Sequence, residues 1–256
     1  FIISFFKFIT FNNMSTSKII KVNATRSTND KVKMLIKSKK IISGDLITAK
    51  YQYGGRGQRM NKWYSSYGKN LLCSLFYMPV DINADKTFIV NQAVSLAVLK
   101  TIRKFNNEKC LIKWPNDILS VNKKIAGILI ENALNSNKVN HSIIGVGINI
   151  NQVFFKTLPN ATSIKKISNK NIIVGKVLDE LIDNYKYYLN RINDIKYIND
   201  KYNQNIFGKE GCRFIINGKE YTGKIISISN NGIVKLNTDS KEIKNCNSRK
   251  IKILYD

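Results

Sequence analysis

Apolar residues recur along this chain with two different periods, and the texture changes near residue 208. Residues 18–22 (KIIKV) and 45–51 (DLITAKY) read as short strands, and residues 70–78 (NLLCSLFYM) are almost continuously apolar, as in a buried strand. Val32, Leu35 and Ile36 share one face at i, i+3, i+4 spacing, which predicts a helix with Thr28 or Asn29 as N-cap and Asp30 in its first turn. Residues 87–105 form a longer helical pattern, with Phe88, Val94, Leu96, Val98, Leu99 and Ile102 available to a core. Pro115 ends the strand before it. Residues 118–121 and 125–131 flank Asn122-Lys123-Lys124 as a hairpin would. Residues 142–150 are another apolar run, interrupted by Gly145 and Gly147. Gly127 interrupts the run before it, and strand glycines mark close approach by a ligand or another backbone. Residues 151–171 read as a loop, and 173–192 and 197–207 as helices. Beyond Gly208, short alternating runs are punctuated by Asn217-Gly218 and Asn230-Asn231-Gly232, the turn signals of a small separate all-β module.

One stretch departs from both periods: YQYGGRGQRMNKWYSS, residues 51–66. Gly54, Gly55 and Gly57 let the backbone bend and approach a ligand, and Arg56 and Arg59 place fixed positive charge beside it. Such a loop suits an anion, most naturally a phosphate. Trp63 adds a flat apolar surface. The stretch is neither a P-loop nor a G-x-G-x-x-G fingerprint.

Composition narrows the chemistry. The chain has 256 residues, 43% of them hydrophobic, enough for one large domain and a small one. Lysine and arginine outnumber acidic residues 42 to 17, a formal charge of +25, but the lysines are scattered and form no basic block. Cys73, Cys110, Cys212 and Cys246 have no metal-binding spacing and suggest a reducing compartment, the cytoplasm. His141 is the only histidine, which excludes mechanisms needing a histidine pair and points to a surface or structural role. No segment is long enough to span a membrane. Residues 1–13 (FIISFFKFITFNN) precede Met14, and the expectation is a non-native or disordered leader.

Five short motifs now stand in one order: S-T-N at Ser27, Y-Q-x-x-G-R-G at Tyr51, K-W-P-N-D at Lys113, K-I-A-G-I-L-I-E at Lys124 and G-V-G-I-N-I-N at Gly145. Together they resemble the biotin–protein ligases, from about Ser15 to the C-terminus. The resemblance implies an α+β fold: a mixed β-sheet backed by helices, like the class II aminoacyl-tRNA synthetase catalytic domain, over residues 14–207. A C-terminal SH3-like β-barrel follows over 208–256. It implies the monofunctional form, since too little chain precedes Ser27 for the family's DNA-binding domain.

The same resemblance implies activation of biotin by ATP to biotinyl-5′-AMP, then transfer to a lysine of the biotin carboxyl carrier protein of acetyl-CoA carboxylase, with Mg²⁺ as cofactor. Lys124 matches the catalytic lysine between the biotin carboxylate and phosphate, with Arg56 beside it. Ser27, Thr28, Asn29, Gln52, Gly55, Arg56, Gly57, Gln58, Lys124 and Gly127 match the biotin site. Arg56, Arg59, Trp63, Asn116, Lys124 and Asn149 match the ATP site, and Asp117 is the candidate Mg²⁺ ligand. Trp114 is assigned to packing. The loop lacks the family's usual G-R-G-R-R-G-R-x-W. Gln58 and Asn61 stand for arginines and Met60 for glycine, which predicts faster leakage of the adenylate. Lipoate ligases or octanoyl transferases of the same superfold are one alternative, and a basic nucleic-acid-binding protein is another. DNA and membranes are not expected partners, and a homodimer is compatible.

Overall fold

The computed structural model describes residues 4–9, 17–79, 81–156 and 158–255. Eight strands make the main sheet: β1 (Ser4–Ile9), β2 (Ser17–Thr25), β3 (Leu46–Gln52), β4 (Leu71–Tyr77), β5 (Cys110–Lys113), β6 (Asp117–Ser120), β7 (Lys123–Asn135) and β8 (Lys138–Ile148). Their spatial order is β1-β2-β3-β4-β8-β7-β6-β5. Only β2 and β3 run parallel, so the sheet is mixed. A parallel pair needs a crossover, and helix α1 (Thr28–Lys37) supplies it. Part of the expected leader, Ser4–Ile9, is the edge strand beside β2. Residues 1–3 and 10–13 lie outside the described residues.

Side-chain alternation splits the sheet into two faces. Leu46, Cys73, Leu75, Ile144 and Val146 join a large core with α2 (Phe88–Phe105), α4 (Val174–Leu189) and α5 (Ile195–Gln204). Ile47, Phe76 and Ile143, each one residue out of step, pack on the opposite face against Val32 of α1. Leu99 is 2% exposed. Truncating such a leucine to alanine costs about 2–5 kcal/mol. Residues 151–171, expected as a loop, include the short helix α3 (Ile164–Ser168), capped by the Ser163 hydroxyl. Its five residues are too few to show a helical period.

The C-terminal strands β9 (Cys212–Ile216), β10 (Lys219–Ile228), β11 (Val234–Thr238), β12 (Ile243–Cys246) and β13 (Ile251–Ile253) form a second, antiparallel sheet in the order β12-β11-β10-β9-β13. It fits a small barrel-like unit. Asn203 of α5 joins it to the helices: Oδ1 accepts from Ile228 N at 2.7 Å and Nδ2 donates to Ile228 O at 2.8 Å. All four cysteines are free. His141 sits edge-on to Phe76, and partial burial lowers its pKa. Among the described residues no helix is long and apolar enough to cross a membrane.

Candidate active site

Sheet register lays out the floor of the site. Lys113 pairs with Asp117, Asp117 with Gly127, Gly127 with Gly147 and Gly147 with Leu72, one row across five strands. The next row on this face runs Leu129, Gly145, Ser74. Three glycines thus leave bare backbone on the α1 face of the sheet. The side chains of Asn29 and Trp63 exploit it. A Cβ on Gly145 would lie 2.3 Å from Asn29 Oδ1, and one on Gly147 would lie 2.5 Å from the Trp63 ring. The expected close approach is therefore made by the chain's own side chains.

Lys124 reaches this face because of a β-bulge. Ile118 pairs with Ala126 but Leu119 pairs with Lys124, so Ile125 is an extra residue. Ile125 and Ala126 both face the α2 core, and Lys124, which simple alternation would also point there, is turned toward the cleft. The hairpin turn is Val121-Asn122, both with positive φ (48° and 54°), and Lys123 and Lys124 belong to β7. Expecting them in the turn missed the left-handed pair. Lys124 N donates to Asn160 O at 2.8 Å, and Thr162 N donates to Lys124 O at 2.9 Å, which straps this residue down. Its ammonium lies 2.6 Å from Asp117 Oδ1 and 5.6 Å from the Trp63 ring centroid.

A cleft of about 280 Å³ opens over this floor. At one end Gln52 Oε1 accepts from Thr28 N at 2.7 Å and Thr28 Oγ1 at 3.0 Å. Ser74 Oγ lies 2.7 Å from Thr28 Oγ1 and 2.6 Å from Asn29 Oδ1. Thr28 and Asn29 are not caps. Ser27 holds the N-cap position without a side-chain bond, and the next two side chains serve the cleft. The glycine loop forms the roof. Gly57 N donates to Asn61 O, Trp63 N donates to Gly55 O, and a 3₁₀ turn over Gln58–Met60 puts Arg59 at φ 54°. Gly55 lies behind the roof, where a Cβ would meet Trp63 O at 2.6 Å.

The other expected residues divide. Gln58, Arg59, Asn116 and Gly127 line the cleft, but the Asn116 amide is engaged, donating to Ile128 O at 2.8 Å. Arg56 is held by Asp30 at 2.6 Å and Glu131 at 3.4 Å. Asn149 lines a neighbouring cleft of about 520 Å³, which shares Trp63 and Lys124 with the first. Its Nδ2 donates to Thr162 O, while Asn149 Oδ1 and Trp63 Nε1 are buried without a hydrogen-bond partner. Trp114 is buried as expected, and it also borders the main cleft.

Sequence reasoning missed Asp30, Lys33, Ser74, Lys113, Glu131 and Lys252. Glu131 ends the quoted K-I-A-G-I-L-I-E run, two alternations from Gly127, so strand parity already places it on the site face. Its carboxylate accepts from Lys33 at 2.6 Å and Asn29 at 2.8 Å. Burial pushes the Glu131 pKa up, but the Lys33 and Asn29 hydrogen bonds and the Arg56 charge outweigh it, leaving the group below its ordinary value. Lys113 is displaced downward by burial first, with Asp117 opposing and Lys124 adding to the shift.

Comparison with known proteins bears on this layout. Residues 22–149 match the biotin/lipoate A/B protein ligase family. The chain belongs to that family. A bifunctional ligase/repressor BirA of Bacillus spizizenii is 33% identical over 204 residues, 76% of this chain and 62% of the relative. A biotin–[acetyl-CoA-carboxylase] ligase of Mycobacterium tuberculosis is 29% identical over 62% of this chain and 61% of the relative. The chain thus spans less than two thirds of the length of these family members. The fold matches the Aquifex aeolicus biotin protein ligase in complex with biotin and ATP, with a TM-score of 0.76 at 22% identity. That match covers 93% of this chain and 99% of the other.

A magnesium ion held by the protein alone does not fit this cleft. Among the described residues no three His, Cys, Asp or Glu side chains cluster, and Asp117 is already the counter-charge of Lys124 and, at 3.7 Å, of Lys113. A family magnesium would depend on ligands from the nucleotide phosphates.

Proposed function

We propose that the chain is an ATP-dependent biotin–protein ligase. Biotin's carboxylate oxygen bonds to the α-phosphorus of ATP, releasing pyrophosphate. The amine of a carrier lysine then attacks the resulting biotinyl-5′-AMP and releases AMP. The observation that carries this reading is Lys124, turned by the bulge onto a glycine-bare floor between a polar pocket and a second cleft.

The first step brings two anions together. At about 4 Å unit charges repel by roughly 1 kcal/mol in water and roughly 4 kcal/mol in a partly dry site. A fixed ammonium between them offsets that repulsion and stabilises charge developing at phosphorus. In this reading Ser27, Thr28, Asn29 and Gln52 receive biotin's ureido ring, whose donors and acceptors match amides and hydroxyls, the backbone at Gly57 closes over the ligand, and Gly55 shapes the loop from behind. Gly127, within the biotin site in this reading, gives the Trp63 ring and the Lys124 stem close approach to the floor, and Gln58 and Arg56 close over the ligand, Arg56 leaving Asp30 and Glu131. The unpaired Asn149 Oδ1 and the Trp63 ring suit an adenine amino group and ring face. Arg59 and Asn116 border the nucleotide. The second sheet is read as an SH3-like barrel, the acceptor as the carrier domain of acetyl-CoA carboxylase, and the setting as the cytoplasm, without DNA as a partner and with a homodimer as one assembly.

The test is ATP-dependent transfer of biotin to a purified carrier domain. Labelling that requires ATP supports the reading. Transfer of octanoate or lipoate in place of biotin would keep the family and overturn the substrate.

A further inference from the structure

We propose that an exposed aromatic ledge beside the second cleft, built from Tyr67, Val153 and Phe154, is the docking surface for the acceptor protein, a negatively charged carrier domain that presents its target lysine. The proposal rests on the ligase function above and assigns the protein surface that the second half-reaction needs.

Three observations carry it. First, the ledge is apolar, open to solvent and not used by the clefts. Tyr67 is 58% exposed, Val153 53% and Phe154 72%. None of the three lines either cleft, whereas Tyr64, Phe155 and Leu158 beside them line the second one. Of two adjacent phenylalanines, Phe155 thus serves a small-molecule cleft and Phe154 faces outward. Exposed apolar surface of this kind marks an interaction site, and aromatic residues are enriched in such sites. Second, the ledge is held in place. Buried Gln152 accepts through Oε1 from Ser66 N at 2.8 Å and Asn70 Nδ2 at 2.6 Å, and its Nε2 donates to Phe154 O at 2.9 Å. Asn151 N donates to Lys69 O at 2.8 Å. The two segments that carry the ledge are therefore fixed side by side, and a surface ordered before binding loses less entropy on docking. Third, the charge around it has one sign. Residues 46–80 and 132–178, the two stretches that meet here, contain no Asp or Glu but five and six lysines or arginines respectively. Lys69 and Lys156, each two positions from a ledge aromatic, are exposed. Such a face draws in an acidic partner and disfavours a second copy of a chain whose formal charge is +25.

Position selects the occupant. The second cleft shares Trp63 and Lys124 with the first, so a domain seated on the ledge brings its lysine beside the place where biotinyl-5′-AMP forms. The amine nitrogen bonds to the biotinyl carbonyl carbon, the bond from that carbon to the phosphate oxygen breaks, AMP leaves with the electron pair, and the amine's proton passes to water.

Phe154→Ser combined with Tyr67→Ser changes only exposed side chains, so the double variant should fold normally. We expect its KM for the purified carrier domain of an acetyl-CoA carboxylase to rise about tenfold, while biotinyl-5′-AMP formation stays within twofold of wild type. Lys69→Glu combined with Lys156→Glu should slow carrier association about fivefold at low salt and much less at high salt. Interferometric binding of the unbiotinylated carrier domain isolates the surface from the reaction. Wild-type binding that both variants weaken supports the ledge even if no biotinyl-5′-AMP forms, in which case only the functional reading falls. Unchanged carrier binding and KM in both variants overturn the ledge, as does an equal loss in both half-reactions. Loss of self-association or of oligonucleotide binding in the variants, with carrier binding intact, would give the ledge to a different occupant and overturn the proposal as well.

Discussion

Two charged clusters reach one cleft, the first through Arg56 and the second through Lys113, Asp117, Lys124 and Lys252, and their shortest ion pairs have the same length. At the roof, Arg56 meets Asp30 at 2.6 Å and Lys33 meets Glu131 at 2.6 Å. At the floor, Lys124 meets Asp117 at 2.6 Å. The roof sets three cations, Arg26, Lys33 and Arg56, against two carboxylates and adds the Asn29 amide. The floor sets Lys113, Lys124 and Lys252 against one carboxylate. Distance alone would call them equivalent, but charge count separates them. The roof cluster is closer to balance and ties the loop, α1 and β7 together. The floor cluster carries more excess positive charge, which suits an anionic ligand.

The sharpest way to break this comparison is to remove a floor cation. Lys124→Ala should lower adenylation by about 10²–10³-fold, the range for losing one preorganised group that stabilises developing charge. Biotinyl-5′-AMP formation by the mutant within a few-fold of wild type would make Lys124 a structural partner of Asp117 and place the chemistry elsewhere.

Geometry can be perturbed without touching charge. Gly147→Ala puts a Cβ within 2.5–2.8 Å of the Trp63 ring. Overpacking of this kind costs about 1–3 kcal/mol. The ring should be pushed off the floor, seen as a shift in tryptophan emission, and the KM for ATP should rise. Unchanged emission would show that the floor tolerates a side chain and that these glycines are not needed for close approach.

At the roof the expected effects are smaller. Glu131→Gln keeps acceptor capacity for Asn29 but removes the charge facing Lys33 and Arg56. Partly exposed pairs contribute about 1 kcal/mol or less, a Tm change of a few degrees at most. The pH dependence has a definite sign. The folded-state pKa of Glu131 is depressed below 4.5, so its contribution is present above 4.5 and is lost as pH falls through the lower folded value. Thermal melts from pH 6 to 3 should show wild type losing its advantage over Glu131→Gln below about pH 4.5. A constant difference across that range would show that the roof cluster contributes nothing through ionisation.

These contrasts also show how much the sequence could reveal. The strands around Leu71–Tyr77 and the helix Phe88–Phe105 were legible because burial writes a period into the residues themselves. Many of the residues that line the cleft belong to the motifs, and Lys113 and Glu131 were already inside two of them. What stayed hidden depends on register. No local pattern states that Ile125 is an extra residue, yet that bulge decides which face Lys124 occupies. Arg56 and Glu131 are 75 positions apart, and Lys252 reaches the cleft from a different sheet. Thr28 and Asn29 looked like caps because the same side chains suit a helix N-terminus and a polar pocket. Only the neighbouring Ser74 and Gln52 decide between the two uses.

The smallest expected effect tests whether the roof can be moved toward the floor's behaviour. Gln58 lines the cleft from the 3₁₀ turn and brings no charge to it. Gln58→Arg adds one cation to a roof that already carries Arg59 and Arg56, the latter held by Asp30 and Glu131. Through a partly solvated gap, one more unit charge near a phosphate contributes about 0.5–1 kcal/mol. That corresponds to biotinyl-5′-AMP leaving roughly two- to fivefold more slowly in a rapid-filtration chase. Because the added charge is at the mouth, the gain should shrink as salt shortens the screening length, whereas the Lys113–Asp117 pair, each side chain 12% exposed, should respond less. A gain that persists at high salt would place the new guanidinium in direct contact with the adenylate. No gain at all would mean that retention is set by the loop's backbone closure and not by its charge.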